Sequence, residues 1–102
     1  MLMADCSCLD DALQAADLGF DFISTTLAGY TGGRPMSDEP DWGLLESMVD
    51  RLPNVPVICE GRIHTPRQAR RARDIGAWAV VVGTAITHPR RVTSWFNAAL
   101  HE

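Results

Sequence analysis

The chain has 102 residues, of which 46% are hydrophobic and 22% are charged, and its formal net charge is −4. This length fits one domain, and the hydrophobic share supports a packed core and excludes a wholly disordered chain. The net acidity disfavours nucleic acid or an anionic membrane as a partner, since both need a clustered basic face. No apolar run approaches the roughly 20 residues of a membrane span, and no signal peptide is visible, so we expect a soluble, cytoplasmic protein.

Predicted strands and helices alternate along the whole chain. Turn residues and helix caps separate short apolar runs from amphipathic segments, which is typical of βα units. In chain order, the predicted elements are a strand stub at 2–4, a helix at 8–18, a strand at 20–26, a helix at 42–52, a strand at 55–59, a helix at 66–75, a strand at 79–82 and a helix at 89–100.

Capping residues mark the helix ends. Ser7 and Asp41 are the predicted N-caps of the first two helices, and Gly19 is the predicted residue after the first helix. Thr65 and Gln68 have the spacing of a capping box, which predicts a helix start directly after Thr65.

Aligning the chain with itself at an offset of 57 residues reveals a repeat. Asp17 then falls on Asp74 and Gly19 on Gly76, so each copy reads strand–helix–strand–helix. Repeated βα units with buried strands predict a parallel sheet wrapped by helices. Chance similarity between two helix–glycine–strand segments is the alternative.

Four βα units make half of a (β/α)8 barrel. Met1 lies only four residues before Asp5, which leaves little room for a complete first strand. The predicted fold class is therefore α/β, with residues 1–102 forming the C-terminal half of a TIM barrel. We expect these residues to be a fragment of a longer enzyme.

Two carboxylates follow predicted strands and are the candidate catalytic groups. Glu60 ends the buried apolar run at 57–59, and Asp5 closes the first strand stub. Ligands bind at this end of the strands in barrels and in open α/β sheets. The alternatives are a salt bridge from Glu60 to Arg62 or another loop arginine, and a helix-capping role for Asp5.

Two glycine-containing loops follow neighbouring strands at the same level and predict a phosphate site. Gly61-Arg62 and Gly83-Thr84 can present backbone N–H groups to an anion, and Arg62 adds a positive charge. Tight turns are the alternative.

The segment 27–40 is a long loop rich in glycine and polar residues, which is typical of a functional lid. With the strand end before it, this loop offers hydrogen-bonding groups suited to a sugar. The candidate substrate-binding residues are Thr26, Tyr30, Thr31 and Arg34. A disordered surface loop is the alternative. His64 is either a proton shuttle or only a turn residue.

The three cysteines, Cys6, Cys8 and Cys59, lack the spacing of a zinc site, and three thiols cannot all pair within one chain. We expect buried apolar thiols and no metal.

Together these segments resemble the N-acetylmannosamine-6-phosphate 2-epimerases. The resemblance covers almost the whole chain and corresponds to the C-terminal half of that family's barrel. The segments that carry it are MADCS at 3–7, GFDF at 19–22, TTLAGYT at 25–31, EGRIHTP at 60–66 and VVVGTAIT at 80–87.

The resemblance implies a cofactor-free enzyme that inverts C2 of an N-acetylated amino sugar 6-phosphate, in sialic acid and amino sugar breakdown. Glu60 matches one acid/base residue, Asp5 a supporting polar residue, and the glycine loops the phosphate site. The family's second acid/base group is a lysine, and this chain has no lysine. We therefore expect the chain alone to be inactive and to partner a missing N-terminal half-barrel or a second copy. His88 stands where the family usually carries arginine, and Arg90 or Arg91 could supply that charge.

Two other classes fit parts of the pattern. One is another phosphate-binding barrel enzyme, similar to thiamine-phosphate synthase. The other is a non-catalytic flavodoxin-like or receiver-like module, in which an acidic cluster follows a complete first strand. Asp10 and Asp11 lie on the predicted first helix instead, which disfavours this second class.

Overall fold

A computed structural model describes all residues from 1 to 102. The longest helix has 11 residues, and no helix has both the length and the apolar character needed to cross a membrane. The elements are β1 (Met3–Asp5), α1 (Leu9–Asp17), β2 (Phe22–Ser24), α2 (Trp42–Arg51), β3 (Val57–Glu60), α3 (Pro66–Ile75), β4 (Ala79–Val81), α4 (Thr84–Thr87) and α5 (Pro89–Ala99).

The four strands form one parallel sheet in the order β1-β2-β3-β4. Ile23 pairs with Val57, and Glu60 pairs with Val81, so the carboxyl ends of β2, β3 and β4 lie at the same end of the sheet. This topology confirms the predicted parallel βα arrangement. The outer strands β1 and β4 each have only one neighbour in the sheet.

Helices α1, α2 and α3 cover one face of the sheet. Ile23, Val57 and Cys59 point into the hydrophobic core, where the buried α2 residues Leu44, Leu45 and Met48 pack. Along each strand, side chains alternate between the two faces of the sheet, so the strand residues next to these core positions point to the opposite face. On that opposite face Met3 is 46% exposed and Val81 is 41% exposed.

Two of the three predicted N-caps are confirmed. Asp41 caps α2 by accepting a hydrogen bond from the Leu44 N–H at 3.0 Å. Thr65 and Gln68 form the capping box of α3, which ends at Gly76.

The predicted cap of α1 is wrong by one residue. Cys8 occupies the N-cap position and makes no side-chain cap hydrogen bond. Ser7 is instead a donor, because both its N–H and its hydroxyl bond to Asp11 Oδ2, at 3.0 and 2.6 Å. The Asp11 carboxylate in the first turn thus accepts hydrogen bonds from Ser7, whereas Ser7 was expected to accept one from the helix.

The helix–glycine–strand part of the predicted repeat has the same secondary structure in both copies. Strands β2 (Phe22–Ser24) and β4 (Ala79–Val81) lie 57 residues apart, and Gly19 and Gly76 both have positive φ, +86° and +124°. The second helices do not follow this offset, because a long loop precedes α2 whereas α4 begins at Thr84. The predicted strands at 20–26 and 79–82 were longer than the observed ones, and the first strand lies at Met3–Asp5 rather than 2–4.

Gly76→Ala should destabilise the fold more than Gly19→Ala. Both positions have positive φ, which costs a residue with a Cβ about 1–2 kcal/mol. A Cβ on Gly76 would also lie 2.7 Å from Val49 Cγ1, whereas one on Gly19 meets nothing within 4 Å. This clash adds an overpacking penalty of about 1–3 kcal/mol. Urea unfolding of both variants tests this, and equal losses would contradict it.

Candidate active site

Glu60 lies at the carboxyl end of β3, and the end of β2 fixes its position. Thr25 Oγ1 accepts from the Glu60 N–H at 3.1 Å and donates to the Glu60 carbonyl oxygen at 3.0 Å. Thr26 Oγ1 donates to Glu60 Oε2 at 2.9 Å. One threonine therefore holds the backbone of Glu60, and its neighbour holds the carboxylate.

Ser24 extends this network, and the sequence analysis did not single it out. Its Oγ is hydrogen-bonded to Thr26 Oγ1 and also accepts from the Thr26 N–H at 3.2 Å. The signal that could have revealed it is positional: Ser24 and Thr26 are two residues apart at a strand end, so their side chains share a face.

Asp5 pairs in register with Ser24, so its side chain points to the same face of the sheet as Ser24 and Glu60. The carboxylate is exposed. The Ser7 N–H before α1 bonds to Asp11, not to Asp5, so the structure gives no support to the alternative of a capping role.

A cavity of about 190 Å³ lies beside Glu60. It joins the predicted acid/base residue to both predicted phosphate loops and to one residue of the long loop. Ile63 and Val81, which carried no site assignment, also line it, as does His64, the candidate proton shuttle. The lining residues are Tyr30, Glu60, Gly61, Arg62, Ile63, His64, Val81, Gly83 and Thr84.

Arg62 connects the cavity to the long loop. Its Nη2 donates to the Ala28 carbonyl oxygen, and its guanidinium lies over the Tyr30 ring, 4.7 Å from the centroid. No salt bridge joins it to Glu60, so the predicted alternative of a Glu60–Arg62 pair is wrong. Gly61 and Arg62 both have positive φ, +105° and +58°, which turns the chain sharply after β3.

The other candidate substrate residues lie outside this cavity. Arg34 forms a two-pronged ion pair with Asp41, in which Nη2 donates to Oδ1 at 2.9 Å. This pair holds the pKa of the Asp41 carboxyl below its usual value. Thr31 is exposed in the loop, and Thr26 contacts Glu60 without lining the cavity.

His64 lines the cavity and also shapes the turn before α3. Its backbone N–H donates to Gln68 Oε1 at 2.7 Å, and its ring packs on Trp95 with 4.2 Å between centroids. Burial, followed by the positive charges of Arg91 and Arg62, lowers the pKa of the imidazole. The ring is therefore mostly neutral at pH 7.

His88 lies near the same site. A second cavity, of about 480 Å³, is lined by Thr84, His88, Arg90, Arg91 and Ser94. Thr84 lines both cavities, so the two are adjacent. Arg90 and Arg91, the candidate replacements for the family's arginine, line the same cavity as His88.

Two of the three cysteines agree with the prediction of buried thiols. Cys6 and Cys59 are buried, and burial raises the pKa of each thiol to about 11, with the nearby Asp11 and Asp5 contributing for Cys6. Cys8 is partly buried. No three His, Cys, Asp or Glu side chains come together as a metal-binding group.

The whole chain, residues 1–102, matches the family model described as "Putative N-acetylmannosamine-6-phosphate epimerase". The chain belongs to this family. A family member from Cutibacterium acnes is 60% identical over 101 residues, covering 98% of this chain and 44% of that protein. One from Clostridium perfringens (strain SM101) is 47% identical over 100 residues, covering 98% and 45%.

One solved structure gives the same family assignment. The N-acetylmannosamine-6-phosphate 2-epimerase from Clostridium perfringens superposes with a TM-score of 0.91 at 47% identity, covering 95% of this chain and 42% of that enzyme. GGGPS from Thermoplasma volcanium matches with a TM-score of 0.56 at 29% identity, over 84% of this chain and 32% of that protein.

The chain spans less than half the length of the curated epimerase-family relatives it matches. Its four parallel βα units correspond to the C-terminal part of the family's barrel, which confirms the predicted fold class.

Proposed function

We propose that residues 1–102 supply one half of a (β/α)8 enzyme that converts N-acetylmannosamine 6-phosphate to N-acetylglucosamine 6-phosphate. The observation that carries the proposal is the cavity where Glu60 meets both glycine loops. The family match over the whole chain supports the same substrate class. Such an enzyme would act in amino sugar and sialic acid breakdown.

The proposed reaction inverts C2 through two proton transfers. In the ring-opened sugar C2 is next to the C1 aldehyde, so when the C2–H bond breaks the electron pair moves onto the aldehyde oxygen and forms an enolate. A proton then returns to C2 from the opposite face. Glu60 is the proposed acid/base group on one side, since this residue lines the cavity. Both steps move only protons, so the reaction needs no cofactor.

The second proton-transfer group comes from outside these residues. The family resemblance implies that this second group is a lysine, and this chain has none. We propose that the partner of this segment is an N-terminal half-barrel that supplies the lysine and the other four strands. Asp5 supports the substrate from the same face of the sheet as Glu60.

The phosphate site is proposed at the two glycine loops. Gly61 and Gly83 let backbone N–H groups approach the phosphate, and Thr84 lines the same cavity. Arg62 supplies positive charge, although in this structure its guanidinium is bound to the Ala28 carbonyl oxygen.

A chimaera tests this proposal. Residues 1–102 replace the matching segment of the Cutibacterium acnes relative, whose own N-terminal part completes the barrel. Purified chimaera should convert N-acetylmannosamine 6-phosphate and leave the substrates of thiamine-phosphate synthase unchanged. The unaltered relative is the positive control. A folded chimaera that turns over the thiamine precursors, or that fails on the amino sugar while the relative succeeds, would contradict the proposal.

A further inference from the structure

The hydrogen bonds around Glu60 have a fixed direction. An ionised carboxylate can only accept, so the single hydroxyl hydrogen of Thr26 goes to Glu60 Oε2. The hydrogen between Ser24 Oγ and Thr26 Oγ1 must then come from Ser24. The Ser24 oxygen accepts in turn from the Thr26 N–H. The two hydroxyls therefore form a directed chain that ends on one oxygen of the carboxylate.

Ser24 is placed to act only through this chain. It is 0% exposed, and it does not line the cavity beside Glu60. It pairs with Ile58 in β3, two residues before Glu60, and its side chain points away from the hydrophobic core. A buried hydroxyl needs a partner, and here both of its hydrogen bonds go to Thr26.

We propose that Ser24 is a positioning residue for Glu60, and that its hydroxyl aims the carboxylate through Thr26. This rests on the proposed role of Glu60 in proton transfer. Hydroxyls that donate in series polarise one another, so Ser24 strengthens the Thr26–Glu60 hydrogen bond. With Oε2 held in this way, Oε1, which has no hydrogen bond within the chain, is the oxygen that exchanges the C2 proton.

A double-mutant cycle in the chimaera tests the relay. Thr26→Val removes the hydroxyl at nearly constant shape, and Ser24→Ala removes its donor. Each should lower kcat about tenfold with little change in KM, because a misaimed base slows the chemical step more than binding. The double variant should lose no more than Thr26→Val alone, because Ser24 then has no hydroxyl to act through. Thr26→Ser should keep most of the activity.

A second readout does not depend on activity. With labelled glutamate, NMR couplings about the Glu60 side-chain torsions should indicate one rotamer in the parent chimaera and averaging in Ser24→Ala. Ser47→Ala, which removes an exposed helical hydroxyl bonded to the Gly43 carbonyl, is the matched control and should change neither readout.

The outcomes separate the two proposals. Equal kcat losses for Ser24→Ala with and without Thr26→Val, or a fixed Glu60 rotamer in Ser24→Ala, would overturn the positioning role. Full turnover by Glu60→Gln would instead contradict the proposed function. In that case the NMR result alone decides whether Ser24 orders Glu60.

Discussion

Glu60→Gln should lower the kcat of the chimaera by about 10²–10⁴-fold, the usual contribution of one general acid/base group. Glutamine has nearly the same shape, and its side-chain oxygen can still accept from Thr26 Oγ1, which bonds to Glu60 at 2.9 Å. The Thr25 contacts involve only the Glu60 backbone and should persist. The variant therefore keeps the fold but loses the group that takes up a proton. Turnover and circular dichroism measured together check both expectations.

Glu46→Gln is the matched control for this change. Glu46 is an exposed carboxylate on α2, outside the cavity, so its neutralisation should leave kcat within about twofold of the parent. Comparable losses in the two variants would mean that charge removal in general, rather than the position of Glu60, affects turnover.

The 102-residue chain by itself should show no measurable epimerase activity. It has no lysine to serve as the second proton-transfer group, and losing one such group costs about 10²–10⁴-fold in rate. Without the other half of the barrel wall, the substrate is also poorly positioned against Glu60. Weak binding of sugar phosphate should remain, because both glycine loops are present.

The same chain should self-associate. The sheet has unpaired edges at β1 and β4, and on the face away from the helices Met3 is 46% and Val81 is 41% exposed. Unpaired strand edges and open apolar faces favour pairing between copies. Light scattering tests the expected self-association, and an epimerisation assay on the same sample tests the expected lack of activity. A stable, active monomer would contradict the half-barrel interpretation and the proposed two-group mechanism.

Local sequence rules predicted much of the fold. The capping box at Thr65 and Gln68 and the cap at Asp41 involve residues three apart, so spacing alone identifies them. The start of α1 was harder to predict, because both Ser7 and Asp11 have side chains that can accept a capping hydrogen bond. Only the structure shows that Asp11 is the acceptor and Ser7 the donor. The four-residue helix α4 is too short to give a periodic pattern.

The site was predictable where it depends on strand ends and less so where it depends on the long loop. Parallel strands bring their carboxyl ends together, so the loops Gly61-Arg62 and Gly83-Thr84 were expected at one level. In the structure they line one cavity with Glu60. Arg34 was expected at the substrate, but its guanidinium pairs with Asp41 seven residues on. The contact of Arg62 with Ala28 spans 34 residues and depends on loop geometry that no local pattern encodes.

In the proposed reaction Glu60 carries a proton to or from C2 of the sugar phosphate. The most direct test incubates the chimaera and its Glu60→Gln variant with N-acetylmannosamine 6-phosphate in deuterated water and follows C2 by proton NMR. The parent should replace the C2 proton with deuterium as the epimer forms, while Glu60→Gln should show almost none. Deuterium incorporation by Glu60→Gln at the parent's rate would contradict the claim.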